Sequence, residues 1–203
     1  KTRQLAPLGR RHPNCRSITS PDTHPTRIQG CGLEIEYVLK CNEYTKNRFC
    51  GVYPSDKIPM FTSGLSCQII VANSQRSNMP GKHWLLFLVP KDVHSDIYFV
   101  DSYGKNVDFY NSDIGRYAHL SDRKVRHTGI TLQGYDTNVC GQYTIYFAVE
   151  WSKGRSVEDI LTDFSEITQM NDALVERYVN TLPFCCPGSR KGQTCKTKRS
   201  YEN

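Results

Sequence analysis

The sequence has no long apolar run of the kind that membrane and secreted proteins carry. No segment approaches the roughly 18 consecutive apolar residues that a membrane-spanning helix needs. The basic N-terminal segment also has no apolar stretch behind it, as a signal peptide would. We therefore expect an intracellular protein that makes no contact with a membrane.

A regular pattern of cysteines is also missing, although the chain contains nine of them. Their number is odd, no CxxC pair occurs, and no Cys/His cluster has zinc-finger spacing. Because a long chain without a signal sequence usually keeps its thiols reduced, we expect neither a disulfide framework nor a metal site. Most of these thiols are then expected to be small buried side chains or tail residues.

The positive charge of the chain is concentrated at its two ends. Residues 1–30 carry six Lys or Arg against one acid, and residues 187–203 carry five against one. The remainder holds 15 of the 26 basic and 18 of the 20 acidic residues. We expect a basic flexible arm over 1–31, one folded domain over 32–184 and a basic disordered tail over 185–203. Such ends either contact DNA or another polyanion, or are simply solvated.

The folded part shows both helical and strand periodicity. Short apolar runs predict strands over 67–72, 83–89, 96–101 and 126–133. Helices are predicted over 33–43, from Cys140 onward, after a capping box at Ser156 and Asp159, and over about 171–181. The apolar face of the first helix is predicted to contain Leu33, Tyr37, Val38 and Cys41. This mixture predicts an α+β fold.

Two polar residues flank the strongest pair of predicted strands. His83 opens strand 83–89, directly before Trp84, and Asp101 closes strand 96–101. If the two strands pair antiparallel, the start of one lies beside the end of the other, and the imidazole meets the carboxylate. A carboxylate that accepts a hydrogen bond from imidazole orients the ring and favours imidazolium. Taken singly, each residue could equally be an ordinary surface residue at a strand tip or turn.

Cys140 lies where the central helix begins. A helix N-terminus stabilises a thiolate, which is the nucleophilic form of cysteine. Thr137 or Asn138 could cap this helix, and Gly141 leaves space for a substrate carbonyl. Gln133, seven residues before Cys140, could donate an N–H to the oxyanion of acyl transfer, beside the backbone N–H of Cys140. A buried structural cysteine is the alternative, but together with His83 and Asp101 these residues predict a cysteine endopeptidase.

Three motifs contain the predicted site residues: HW at 83–84, FVDSYG at 99–104 and LQGYDTNVCGQY at 132–143. These motifs resemble the adenain family, the adenovirus-type maturation proteases. The similarity is greatest to homologues of Maverick/Polinton elements and related large DNA viruses, and it covers about residues 33–182. RFCGVYPSDKIP at 48–59 also resembles the stretch before the first strand of those proteins.

The resemblance implies a central mixed β-sheet flanked by helices, with the nucleophile at the N-terminus of the central helix. It also implies that His83 is the base, Asp101 the third member of a triad, Gln133 the oxyanion donor and Cys140 the nucleophile. The order His, acid, Gln, Cys excludes papain-like enzymes, in which the cysteine comes first. The implied activity is the cleavage of precursor proteins, such as capsid precursors, after Gly-containing motifs, in a host nucleus or a virion.

Ulp-type proteases of SUMO or ubiquitin-like conjugates share this fold and residue order. Their usual pattern has Gln six residues before the Cys and Asp directly ahead of it. Here the spacing is seven and the preceding residue is Val139, which favours the viral group. A DNA- or capsid-associated structural protein with an incidental thiol is the third alternative.

Activation and self-processing are further expectations of the resemblance. Adenovirus members carry a cysteine between the acid and the Gln that links to an activating peptide, whereas this chain has no Cys between Cys67 and Cys140. The sequence requires no cofactor, although DNA or a peptide could activate the protein. The family's cleavage pattern, (Met/Ile/Leu)-X-Gly-X before Gly, matches residues 28–32. We therefore expect self-cleavage between Cys31 and Gly32.

Overall fold

The computed structural model describes residues 32–59, 67–120 and 122–182, which form a five-stranded sheet with helices on both faces. The strands are β1 (Phe49–Pro54), β2 (Ile69–Asn73), β3 (Trp84–Leu88), β4 (Ile97–Val100) and β5 (Val125–His127). The helices are α1 (Gly32–Cys41), α2 (Ser112–His119), α3 (Cys140–Ser152), α4 (Val157–Leu161) and α5 (Thr168–Thr181). Short 3₁₀ turns cover Ser55–Lys57 and Val107–Phe109.

The sheet is mixed, with its strands in sequence order from β1 to β5. The two outer pairs, β1 with β2 and β4 with β5, are parallel. The two inner pairs, β2 with β3 and β3 with β4, are antiparallel. The α+β fold with a central mixed sheet is therefore confirmed.

The central strands β2 and β3 are buried along their whole length because both faces of the sheet are covered. Successive side chains of a strand point to opposite faces. In β3, Leu86 and Leu88 contribute to the core that includes α1, α3 and α5, whereas Leu85 and Phe87 contribute to the core that includes α2. The sequence of a strand that is covered on both faces is an unbroken apolar run, and WLLFL in β3 is an example.

Helix α3 lies at the centre of the larger core. Every side chain from 141 to 150 is buried, because the helix packs against β3, α1 and α5. A helix that is enclosed on all sides is apolar around most of its circumference, as this one is. Cys140 is its first residue, as the sequence predicts.

Several predicted boundaries and faces are wrong. Helix α1 buries Ile35, Val38 and Leu39, whereas Leu33 is 57% exposed. Its sequence has apolar residues on more than one side, so periodicity alone does not select the buried face. Strand β5 ends at His127, since the following segment leaves the sheet and donates its Leu132 backbone N–H to a neighbouring turn. Strand β1 and helix α2 are not predicted.

The expectation of reduced thiols is wrong for three of the described cysteines. Cys50 and Cys67 form a disulfide with each other, and Cys41 is also disulfide-bonded. The Cα atoms of Cys50 and Cys67 lie 5.2 Å apart, within the usual range for a disulfide. The reason is the parallel pairing of β1 with β2, which brings the starts of both strands together. Without a prediction of β1, the sequence gives no indication of this proximity.

The described residues contain neither a membrane span nor an evident metal centre. No helix within 32–59, 67–120 and 122–182 is long and apolar enough to cross a bilayer. No group of three or more His, Cys, Asp or Glu in the same ranges is arranged to hold a metal ion. The predicted arm and tail lie outside the described residues.

Candidate active site

The antiparallel pairing of β3 with β4 places the start of β3 beside the end of β4 and so brings two polar side chains together. His83 directly precedes β3, and Asp101 directly follows β4. The Nε2–H of His83 donates to Oδ1 of Asp101 over 2.6 Å. The side chain of His83 is 9% exposed and that of Asp101 is completely buried, so water does not compete for this bond.

Both oxygens of the Asp101 carboxylate are fully occupied. Oδ1 also accepts the backbone N–H of Tyr103 at 3.1 Å. Oδ2 accepts the backbone N–H of Lys105 and the hydroxyl of Tyr110, each at 2.8 Å. Four donors fix the carboxylate, so it holds the His83 ring in one orientation.

The hydrogen bonds of this pair favour the charged form of both residues, so the pKa of Asp101 is lowered and the pKa of His83 is raised. Burial raises the pKa of the Asp101 carboxyl, but the bonds from His83 and Tyr110 outweigh burial and hold this pKa below its usual value. Burial lowers the pKa of His83, but the hydrogen bonds with Asp101 and Cys140 and their negative charges outweigh it and raise this pKa to about 9. The imidazole is therefore protonated at neutral pH.

Cys140 lies beside the same imidazole and is half-buried. It is the free thiol among the cysteines that the structure describes. Since Nε2 of His83 bonds Asp101, Nδ1 is the ring nitrogen left for the thiol. The residue before the helix is Val139, which makes no side-chain cap, so the predicted caps Thr137 and Asn138 are wrong.

The carboxamide of Gln133 is buried in the loop that leads to Cys140. Its oxygen accepts the hydroxyl of Ser102 at 2.7 Å. Its Nε2 donates to the carbonyl of Thr137 at 2.9 Å and lies 3.3 Å from the hydroxyl of the same residue. The second contact is long for a hydrogen bond, so one amide hydrogen is only weakly engaged.

Helix α5 anchors this loop through two buried residues whose role the sequence analysis misses. The side chain of Asn171 donates to the carbonyl of Leu132 at 3.1 Å. The carboxylate of Asp172 accepts the backbone N–H of Gly134 at 3.2 Å and lies 3.0 Å from the hydroxyl of Thr137. The backbone is thus held on both sides of Gln133. Asn171 and Asp172 follow Cys140 by about 30 residues and look like any other polar residues of a helix. No local sequence signal therefore identifies their role.

Two tyrosines, which the sequence analysis also misses, extend the site beyond His83. The ring of Tyr103 stacks on His83 with centroids 4.7 Å apart and planes inclined by 24°. Tyr135 stacks in turn on Tyr103 at 5.7 Å with planes inclined by 8°. Tyr103 lies in the FVDSYG motif, but its contacts depend on a turn that the sequence does not define.

The expected self-cleavage position is described only in part. Cys31 lies outside the described residues, whereas Gly32 is the first residue of α1. A Cβ added at Gly32 would lie 3.0 Å from the ring of Trp84, so the start of the helix packs against the residue that follows His83.

No protein-family model matches the chain, and no curated protein matches it. Among solved structures, the chain is similar to the crystal structure of a protease from African swine fever virus (ASFV), with a TM-score of 0.51 and 15% identity over 80% of this chain and 71% of that one. The chain shares the fold of that viral protease. A central domain of an uncharacterized Legionella pneumophila protein also matches, with a TM-score of 0.33 and 13% identity over 64% of this chain and 87% of that one.

The similarity to the ASFV protease concerns the fold alone, because identity is 15%. It supports the expectation that this chain has a viral protease fold.

Proposed function

We propose that this protein is a cysteine endopeptidase with Cys140 as nucleophile, His83 as acid and base, and Asp101 as the group that orients His83. The observation that supports this most is the buried 2.6 Å bond between His83 and Asp101, next to a free thiol at the start of α3. A thiolate and imidazolium at a helix N-terminus form the ion pair that cysteine proteases need.

The reaction follows from these positions. The Cys140 thiolate attacks the scissile carbonyl carbon, and the negative charge moves to the carbonyl oxygen. Backbone N–H groups at the start of α3 and the weakly engaged Nε2–H of Gln133 donate to this oxyanion. The intermediate collapses as His83 transfers its proton to the leaving amine, which leaves a thioester.

Hydrolysis of the thioester restores the enzyme. Neutral His83 takes a proton from water, and the resulting hydroxide attacks the thioester carbonyl. The thiolate then departs and the carboxylic acid product leaves, so thiolate and imidazolium are regenerated. Asp101 keeps the ring oriented and stabilises its charge in both halves of the cycle.

We further propose a viral or transposon maturation protease that cuts precursor proteins after Gly-containing motifs, in a host nucleus or a virion. The likeness of the fold to a viral protease supports this proposal. A short Leu-X-Gly-Gly reporter, compared with ubiquitin and SUMO conjugates, tests it. Cleavage of the conjugates alone would favour a deconjugating enzyme instead.

A thiol-directed peptide probe tests the proposed chemistry directly. Labelling is expected at Cys140 and is expected to fall at least about 100-fold in His83→Ala, because the ion pair is lost. The matched control is His119→Ala, since His119 forms an exposed pair with Asp108 at 3.0 Å and should label like wild type. Equal labelling of several cysteines, or labelling that is independent of His83, would contradict the proposal.

Self-processing and activation have their own tests. Mass spectrometry of wild type and Cys140→Ala compares the N-termini, and identical termini would exclude self-cleavage before Gly32.

Activation is tested by adding DNA or a candidate peptide to the reporter assay, where an activator would raise the rate of cleavage. If DNA acts through the basic ends, removal of residues 187–203 should weaken the activation by DNA. A higher salt concentration should weaken this activation as well.

A further inference from the structure

We propose that Tyr103 and Tyr135 form a subsite that binds a planar, apolar side chain on the leaving-group side of the substrate. This inference rests on the proposed function, because it takes His83 as the group that protonates the leaving amine.

The two tyrosines form one continuous stack with the imidazole. The centroid distances are 4.7 Å from His83 to Tyr103 and 5.7 Å from Tyr103 to Tyr135, with nearly parallel planes in both steps. These distances lie within the range of attractive aromatic pairs. The stack therefore leads from the proposed catalytic imidazole out to the surface.

The position of His83 decides which part of the substrate meets this stack. His83 has to reach the nitrogen that leaves, so the substrate residues attached to that nitrogen must pass close to the imidazole. Tyr103 covers a face of that ring, and Tyr135 continues the stack beyond it. Residues just after the scissile bond are thus the ones nearest to both tyrosines.

Tyr135 is exposed but held in place. Tyr135 is 76% exposed, so its ring is accessible to a ligand. Its loop is nevertheless anchored, because Asp172 bonds Gly134 and Thr137 on either side of it and the Thr137 N–H donates to the Gly134 carbonyl at 3.3 Å. A rigidly presented aromatic ring loses little entropy when a ligand packs on it.

The chemistry of the subsite favours flat, apolar partners. A Phe, Tyr or Trp side chain, which can add a further ring to the stack, gains both buried area and a favourable stacking geometry. Alanine or glycine at the same substrate position gains neither. We therefore expect selectivity for aromatic residues at the first or second position after the scissile bond.

Two series of fluorogenic peptides, which carry Phe or Ala at one of these positions, test the subsite. Wild type should cleave the Phe peptide of one series about three- to tenfold faster in kcat/KM, the effect of one aromatic pair. Tyr135→Ala should reduce this ratio to nearly one, and Tyr135→Phe should retain it. Tyr44→Ala removes a half-exposed tyrosine from the loop after α1 and should leave the ratio unchanged.

Binding of product peptides separates this inference from the proposed function. Two pairs of product peptides are titrated into Cys140→Ala, one pair with Phe or Ala at the first residue and the other with Phe or Ala at the second, with NMR signals of the tyrosine rings as the readout. Tighter binding of the Phe peptide in either pair, lost when Tyr135→Ala is added, would support the subsite even if no peptide were cleaved. Equal binding within both pairs, or a Phe preference that survives Tyr135→Ala, would overturn it.

Discussion

Asp101→Asn tests the electrostatics of the proposed triad with the smallest change of shape. The asparagine side chain has the same size but only one acceptor oxygen. Both oxygens of Asp101 accept bonds, from His83 and Tyr103 on one side and from Lys105 and Tyr110 on the other. Either orientation of the new amide therefore directs its NH₂ group towards a backbone N–H donor.

The expected shift of the pH profile follows from the pKa of His83, which is raised from 6.5 to about 9. Burial alone lowers this pKa, so the rise depends on Asp101 and Cys140. Loss of one nearby opposite charge typically changes a pKa by about 1–3 units. Since the imidazolium must donate a proton to the leaving amine, activity disappears as pH rises through its pKa. Asp101→Asn should move the alkaline limb of kcat/KM downward by about 1–3 units.

The rate should also fall, by about 10³ to 10⁴ in kcat, because the ring loses its fixed orientation. Rates on the peptide reporter are measured across pH for wild type and variant, and alkylation of Cys140 by iodoacetamide supplies a readout that needs no substrate. Asp108→Asn removes the exposed carboxylate beside His119 and is the matched control. An alkaline limb that stays near 9 in Asp101→Asn would refute the assigned role of this carboxylate.

Three further predictions concern the loop before Cys140, the turn after β4 and the disulfide. Asp172→Ala should lower kcat more than it raises KM and reduce the free energy of unfolding by about 1–3 kcal/mol, because the Gly134 N–H and the hydroxyls of Thr137 and Tyr143 lose an acceptor. Kinetics and urea denaturation measure both, and unchanged kcat would contradict it. Gly104→Ala should cost more than about 2 kcal/mol, because φ is +69° and the new Cβ would lie 2.5 Å from backbone; Gly154→Ala, at φ +101° with nothing within 4 Å, should cost less in the same denaturation assay. Replacement of Cys50 and Cys67 by Ala should cost about 3 kcal/mol, given the 17-residue separation, and equal stability to wild type would refute a structural role for the disulfide.

The sequence predicts those parts of the site whose positions follow from strands or a helix start that are close together along the chain. The runs that begin at His83 and end at Asp101 are strongly apolar, so they predict two adjacent strands, and a short connection favours antiparallel pairing. That pairing alone brings the starts and ends of the strands together. The start of α3 at Cys140 is similarly local, because the spacing of apolar residues changes there from strand to helix.

The remaining parts depend on contacts between segments that are distant along the chain. Strand β1 contains Gly51 and ends with Pro54, residues that disfavour strands, and it is recognisable only from its pairing with β2. The disulfide between Cys50 and Cys67 follows from that pairing. Asp172 reaches Gly134 from a helix that is 38 positions later in the chain, and no spacing rule connects them.

The turn after β4 links the proposed base to the proposed oxyanion donor. Asp101 and Tyr103 contact His83, whereas the hydroxyl of Ser102 donates to Gln133. The backbone carbonyl of Ser102 also accepts the N–H of Gln133 at 3.0 Å. Three consecutive residues thus position groups from two different parts of the site. Because these groups share one rigid turn, substitutions within it should affect proton transfer and oxyanion binding together, and their effects should not be additive.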